Sequence, residues 1–300
     1  MSVDLNLLRT FLAILDAGSV TAAADDLRLT QPTVSHALGR LREQLGDPLF
    51  VRHGAGIVPT ERAVELGPLV RSALANLDDA VDAHRAFDPA TTEREFRIRL
   101  SDIGESSFLP AVLRAMAAEA PFASVIVEQT PIDEVVDALA RGAIDAAIAS
   151  VELDVSGRAA VLRGDHYVAL MHPDDAPAAL RLTAEEVAER AHAVVSKRAG
   201  HAQIDAALAA VGVVRRAAVQ VQHFLALPQL VADGGLMAVM PVHMADAVAP
   251  TWGLAVRELP KGMPEFDVNL YWDAAVTGAT GPRAWFIGLA RRALAEARNG

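Results

Sequence analysis

Cysteine is missing from all 300 residues. This excludes disulfides and thiolate metal sites, and it fits a reducing cytosol. No stretch of 18 uncharged apolar residues occurs, so no membrane-spanning helix is expected. Positive charge is in short supply too, since the formal net charge is −11. That balance argues against a basic nucleic-acid coat protein. A DNA reader so composed must gather its cations locally and hold its acidic remainder away from phosphate. The common catalytic signatures are also absent: no G-x-S-x-G elbow, no P-loop, no G-x-G-x-x-G after a strand and no H-E-x-x-H. The pairs Asp174-Asp175 and Glu185-Glu186 each point to different sides of an element and read as solvated surface. The nine histidines show no metal spacing. Neither a metal, nor a cofactor, nor an enzyme activity is expected.

What is present is apolar material, 52% of the chain, in a length that suggests two or three structural units. Leu5, Leu8, Phe11, Leu12 and Leu15 recur at helical spacing behind Asp4. They predict an amphipathic helix over 4–17, ended by Gly18, rather than a signal peptide. Ser19 can cap a second helix through "VTAAADDLR", and Thr30 a third that reaches Leu45 and stops at Gly46. Pro32 sits in the first turn of that third helix, where its missing N–H does no harm. "PLFVRHGAGIVPT" then reads as a two-stranded wing. From Thr60 a long helix is predicted to Phe87. Ala63, Leu66, Val70, Ala73, Leu77, Ala80 and His84 form a coiled-coil-like seam along it. The alternative is a helix packed on its own domain. Pro68 should bend this helix or mark its true start, and "FDPATTE" reads as a linker.

Beyond residue 92 strand-like runs such as "FRIRLSD", "SVIVEQT", "YVALMHP" and "FDVNLYWD" alternate with helical ones. This rhythm predicts α/β architecture with parallel sheet, and ligands beyond the carboxyl ends of strands, often between two lobes.

In a helix-turn-helix the start of the second helix meets base edges. Gln31, Thr33, Ser35 and His36 occupy that start here. Gln can pair with adenine, and the hydroxyls can contact bases or phosphates. Arg40 and Arg42 are placed for the DNA backbone, and Arg52 with His53 puts donors on the wing. Residues 30–62 nevertheless carry four arginines against three acidic side chains. Composition alone leaves a DNA reader and a solvated helical bundle as equal alternatives.

The stretch "FLAILDAGSVTAAADDLRLTQPTVSHALGRLREQLGDPLFVR" resembles the LysR-type transcriptional regulators. Phe11, Ser19, Ala23, Leu27, Thr30, Gln31, Pro32, Val34, Ser35, Leu41, Leu45, Gly46, Leu49, Phe50 and Arg52 match the family pattern at fixed spacing. The resemblance covers the whole length. It implies a winged helix-turn-helix over 1–60, a dimerising linker helix over 61–92 and a two-lobed, periplasmic-binding-protein-like effector domain over 93–300. Lobe I would comprise 93–165 and 269–300, and lobe II 166–268. It also implies promoter DNA as partner, homodimers or homotetramers joined through Leu66, Val70 and Leu77, and base reading by Gln31, Thr33 and Ser35, with phosphate held by Arg52. Three departures bear on target sequence: Gly39 within the recognition helix, Arg42 in place of a usual Glu, and His36 in place of Arg or Asn.

"SDIGESSFLP", "GHAQID", "VQHFLALPQLVADGGLMAVMP" and "NLYWD" look like the branch of nodulation regulators and salicylate- and nitroaromatic-responsive regulators. That branch implies a small aromatic effector between the lobes. The matching positions are Ser101, Asp102, Phe108, His166, His201, His223 and Phe224. Ser101 can donate to an oxygen, Phe108 and Phe224 can stack on a ring, and the histidines can donate to a phenolate or carboxylate. Asp102 is better read as a cap for the next helix. "YWD" at 271–273 stands where the branch has "YWH", and an acidic group there would disfavour a carboxylate. A solute-binding protein or an enzyme on the same α/β scaffold are the rival readings.

Overall fold

Local capping sets the first three helices of the computed structural model, which describes residues 4–53, 56–82, 87–196 and 203–296. Asp4 accepts from the Asn6 N–H and opens α1 (Leu5–Ala17), and Gly18 closes it in the left-handed region at φ 60°. Ser19 caps α2 (Val20–Asp26), and Thr30 caps α3 (Gln31–Leu45). The buried faces of the three helices meet around Phe11, Ile14, Val34 and Leu41. β1 (Phe50–His53) and β2 (Gly56–Pro59) pair antiparallel as the wing, and Phe50 anchors it against Phe11 with ring centroids 5.7 Å apart.

α4 (Glu61–Asp82) runs through Pro68 as one helix. The hydrogen bond that Pro68 cannot make belongs to the carbonyl of Val64, an exposed residue. Ala63, Val70 and Leu74 are buried in the same core as the winged helices, with Leu66 packed against it. The expected self-pairing seam is therefore partly spent at home: Leu66 and Val70 face their own domain. The face left exposed carries Leu69, Ala73 and Leu77, four residues apart. His84 lies outside the described residues, as does the turn at 54–55.

The chain divides into two compact units, 1–86 with 141–143, and 87–140 with 144–300. The second holds two five-stranded sheets. In lobe I the order is β4 (Ser124–Glu128), β3 (Glu95–Arg99), β5 (Ala146–Ala149), β12 (Phe266–Trp272) and β6 (Gly157–Asp165). Helices α5 (Asp102–Ser107), α6 (Leu109–Glu119), α7 (Val135–Ala140), α12 (Ala274–Thr277) and α13 (Pro282–Glu296) accompany it. Lobe II orders β11 (Ala255–Glu258), β7 (Tyr167–Met171), β10 (Leu236–Pro241), β8 (Ala191–Val195) and β9 (Arg216–Val221). Its helices are α8 (Ala184–Glu189), α9 (Gln203–Ala210), α10 (Leu227–Ala232) and α11 (Val242–Trp252).

The sheets are mixed rather than parallel throughout. β3 runs parallel to β4 and β5, and β8 to β9 and β10. β12 runs antiparallel to β5 and β6, and β7 antiparallel to β10 and β11. Crossing between lobes is the cause. The chain leaves lobe I along β6, enters lobe II along β7, and returns along β12. Asp165 and Phe266 are register partners where the two crossings lie side by side.

Candidate functional sites

α3 buries Val34, Leu38 and Leu41 and leaves Gln31, Pro32, Thr33, Ser35, His36 and Arg40 exposed. The helical period thus puts every candidate base reader on the outer face. Thr33 and Thr30 share a hydroxyl hydrogen bond of 2.8 Å, which fixes both side chains at the start of the helix. Arg52 and His53 are exposed on β1.

Arg42 has a different task from the phosphate contact expected of it. Its Nε donates to the Pro48 carbonyl at 2.6 Å and its Nη2 to the Phe50 carbonyl at 2.9 Å. Between those residues Leu49 is fully buried in the left-handed region, at φ 56°. Such a conformation costs a side-chain-bearing residue about 1–3 kcal/mol and must be held from outside. Asp47 completes the clamp by accepting from the Leu49 N–H at 2.6 Å and the Thr60 hydroxyl at 2.9 Å. Arg42 joins the recognition helix to its wing.

The second unit contains two adjoining cavities. One, about 430 Å³, is lined from lobe I by Arg99, Ser101, Ile103, Phe108, Ile132, Ile148 and Ser150, from lobe II by Pro241 and His243, and by Phe266 and Val268 of β12. The other, about 650 Å³, is lined by Ser101, Asp102, Gln129, Thr130, Gln222 and His223, and shares Arg99 with the first. The first combines apolar walls with a few polar groups, the composition that suits a small organic ligand, and the second is mostly polar.

Ser101 and Phe108 meet in the first cavity, and Ser101, Asp102 and His223 in the second. Ser101 caps α5 by accepting from the Gly104 N–H at 3.4 Å, which leaves its own hydroxyl hydrogen to donate. The capping task expected of Asp102 therefore falls to Ser101. Asp102 instead accepts from the Leu225 N–H at 2.9 Å and ties lobe I to lobe II. A second tie comes from Gln203, whose Nε2 donates to Ser150 Oγ at 3.2 Å and to the Tyr167 hydroxyl at 2.8 Å. Burial pushes that phenol up to about 12, so it stays protonated.

Two residues expected at the ligand lie elsewhere. Phe224 is completely buried in the core of lobe II beside Leu227 and Val231. His166 turns to Glu258, with Nε2 3.4 Å from Oε1, and lines neither cavity. His201 lies outside the described residues. Asp273 caps α12, its Oδ1 accepting from the Ala275 and Val276 N–H groups, so it places no charge on either cavity wall.

Two residues not singled out from the sequence complete the first cavity. His243, at the start of α11, stacks on Phe108 with centroids 5.8 Å apart. Its Nδ1 lies 2.6 Å from Asp165 Oδ2, and its Nε2 is buried without a hydrogen-bond partner. Arg99, at the end of β3, is 5% exposed. Its Nε donates to the Thr130 carbonyl at 3.3 Å, and burial lowers its pKa from the ordinary arginine value. A signal existed for both. Arginine is out of place in a strand between two neighbours of a covered sheet, and His243 follows the carboxyl end of a strand, where α/β ligands sit.

Residues 5–64 match the family model of bacterial regulatory helix-turn-helix proteins of the lysR family, and residues 89–295 match the LysR substrate binding domain. The chain belongs to the LysR family. It is a transcriptional regulator with a DNA-binding head and an effector-binding domain, in a family of regulators and not of enzymes. It is 35% identical over 274 residues to the HTH-type transcriptional activator NahR of Pseudomonas putida, covering 91% of each chain. It is likewise 35% identical over 277 residues to nodulation protein D 2 of Sinorhizobium fredii, covering 90% of this chain and 87% of that one. Among solved structures, a probable transcriptional regulator of Pseudomonas aeruginosa superposes with a TM-score of 0.76 at 32% identity, over 97% of both chains. The regulator CbnR in complex with its target DNA shares the fold at 19% identity, with a TM-score of 0.67 over 97% of this chain and all of that one.

Proposed function

We propose that this LysR-family regulator binds a small aromatic effector between the lobes of its second unit and alters promoter binding in response. The observation that carries the reading is the first cavity. Its walls combine the rings of Phe108 and Phe266 with the Arg99 guanidinium, the Ser101 hydroxyl and the His243 imidazole, the mixture that orients a ring bearing polar substituents. The branch to which NahR and the nodulation proteins belong supports it.

Gln31, Thr33 and Ser35 are assigned to base edges, and Arg40 and Arg52 to phosphate. Exposure on one helical face and on the wing supports these roles. Self-association runs through the exposed Leu69, Ala73 and Leu77 face of α4, in a homodimer or a homotetramer built from two dimers. The regulator works where its promoter lies, in the cytoplasm. The effector acts by population shift. It binds one arrangement of the lobes more tightly, the ties at Asp102 and Gln203 readjust, and the spacing of paired heads on DNA changes with them.

A gel shift and footprint on the DNA flanking the protein's own gene tests both halves. A salt-sensitive footprint whose extent changes with an aromatic ligand is expected. Protection that no ring compound alters, or no sequence-specific protection, defeats the reading.

A further inference from the structure

Among the described residues two arginines of the second unit are buried, Arg283 and Arg99. Arg283, 4% exposed, donates to Asp145 at 2.8 Å. Arg99 has no such partner. It is as buried as Arg283, yet among the described residues no carboxylate lies within ion-pairing distance of it, and the one hydrogen bond of its side chain is from Nε to the Thr130 carbonyl. A guanidinium offers five N–H donors in a planar fork. A buried cation without a counter-charge costs stability, so its retention at a cavity wall needs an occupant that supplies the missing charge.

Position sharpens the point. Arg99 lines both cavities, so its fork stands where they adjoin, next to Ser101, whose hydroxyl hydrogen is available. The carboxylate of Asp102 is committed to the Leu225 N–H across the lobes. Beyond Arg99 the first cavity is mainly apolar, with Ile148, Phe108, Phe266 and Val268 in its lining beside Ser150 and His243.

We propose that Arg99 sets the charge of the effector: the site takes a ring-bearing anion whose carboxylate lies on the Arg99 guanidinium, at the wall the two cavities share, with its ring in the apolar cavity. Two parallel N–H···O bonds to a carboxylate match the fork, and a neutral phenol or amide offers no equivalent. This rests on the reading of the cavity as the effector site and adds the ligand's charge and its anchor. Arg99 is thus a specificity-determining residue, and the regulator discriminates ring acids from neutral ring compounds of the same shape.

Calorimetry and thermal shift on the full-length protein test this with matched probes: benzoate and benzamide, 2-naphthoate and 2-naphthamide, and cyclohexanecarboxylate as a saturated ring acid. The wild-type protein should bind at least one aromatic acid about ten- to a hundredfold more tightly than its amide, the worth of a charge-assisted pair. Arg99→Met should remove that preference by weakening acid binding far more than amide binding, and should not lower the melting temperature of the ligand-free protein. Arg99→Lys should keep part of the preference. If Arg99→Met does not fold, the wild-type acid-to-amide ratio and Arg99→Lys decide. Amides binding as well as their acids, or an acid preference that survives Arg99→Met, overturns the proposal while leaving an aromatic effector in place. Arg99-dependent binding of cyclohexanecarboxylate alone upholds the anion site and defeats the aromatic reading. No binding of any probe overturns both.

Discussion

Asp165 holds His243 across 78 positions of sequence, carboxylate Oδ2 to imidazole Nδ1, at 2.6 Å. Asp165 ends β6, the strand that leaves lobe I, and its Oδ1 also accepts from the His166 N–H at 3.0 Å. His243 opens α11 in lobe II and lines the cavity. A carboxylate accepts, so Nδ1 carries a proton and donates it to Asp165. The crossing strand therefore fixes the orientation of the His243 ring beside the cavity.

Asp165→Asn should weaken effector binding nearly as much as His243→Leu, and the double variant should cost little more than either single one. Residues that act as one unit are non-additive by about 0.5–3 kcal/mol. Additive losses in a calorimetric double-mutant cycle would separate the two residues.

Two phenylalanines should part company. Phe224→Ala empties a position with no exposed surface and should cost about 3–5 kcal/mol of stability in denaturant unfolding. Phe108→Ala, at a half-buried cavity wall, should cost less stability and more affinity for a ring ligand. The reverse pattern would move the ring site away from Phe108.

On the DNA-binding head, Arg52→Ala should weaken all DNA sequences alike and lower the salt slope by roughly one phosphate contact. Gln31→Ala should lose about 1–3 kcal/mol of discrimination between operator and random DNA. Arg42→Met should instead lower the unfolding midpoint, because it releases the turn around Leu49. An Arg42→Met protein of unchanged stability with only a reduced salt slope would restore the phosphate role.

Leu77→Asp, on the exposed face of α4, should yield smaller species in sedimentation while leaving the winged unit folded. Val70→Asp should unfold that unit, because Val70 is part of its core. An unchanged oligomer distribution in Leu77→Asp would place the interface elsewhere.

His192 gives a pH signature. It is fully buried, its Nε2 lies 2.9 Å from the Val187 carbonyl, and its Nδ1 is buried without a partner. Desolvation holds its pKa below the ordinary 6.5. The unfolded chain takes up the proton that the folded chain refuses. Stability from this site is thus complete above about pH 6.5 and declines as the pH falls below it. His192→Gln should make the loss of unfolding free energy between about pH 6.5 and 5 shallower than in the wild type. Identical slopes would show that the imidazole is accommodated when charged.

The sequence by itself determined what neighbouring residues decide. Asp4, Ser19 and Thr30 cap their helices, and Gly18 and Gly46 end two of them, because these bonds span two to four residues and need no tertiary context. The outward face of Gln31, Thr33 and Ser35 follows from the helical period alone. Alternating strands and helices announced an α/β architecture and the family resemblance its two lobes, but neither announced the antiparallel course of β7 and β12, which results from crossing between the lobes. Only the tertiary structure distinguished Phe108 at the cavity from Phe224 in the core, or turned Leu66 and Val70 toward their own domain. It alone joined Asp165 to His243 and left Arg99 buried without a carboxylate. Those outcomes depend on which distant segments share a space, and so on which charges and ring nitrogens find partners there. A one-dimensional pattern of residue types does not contain that information.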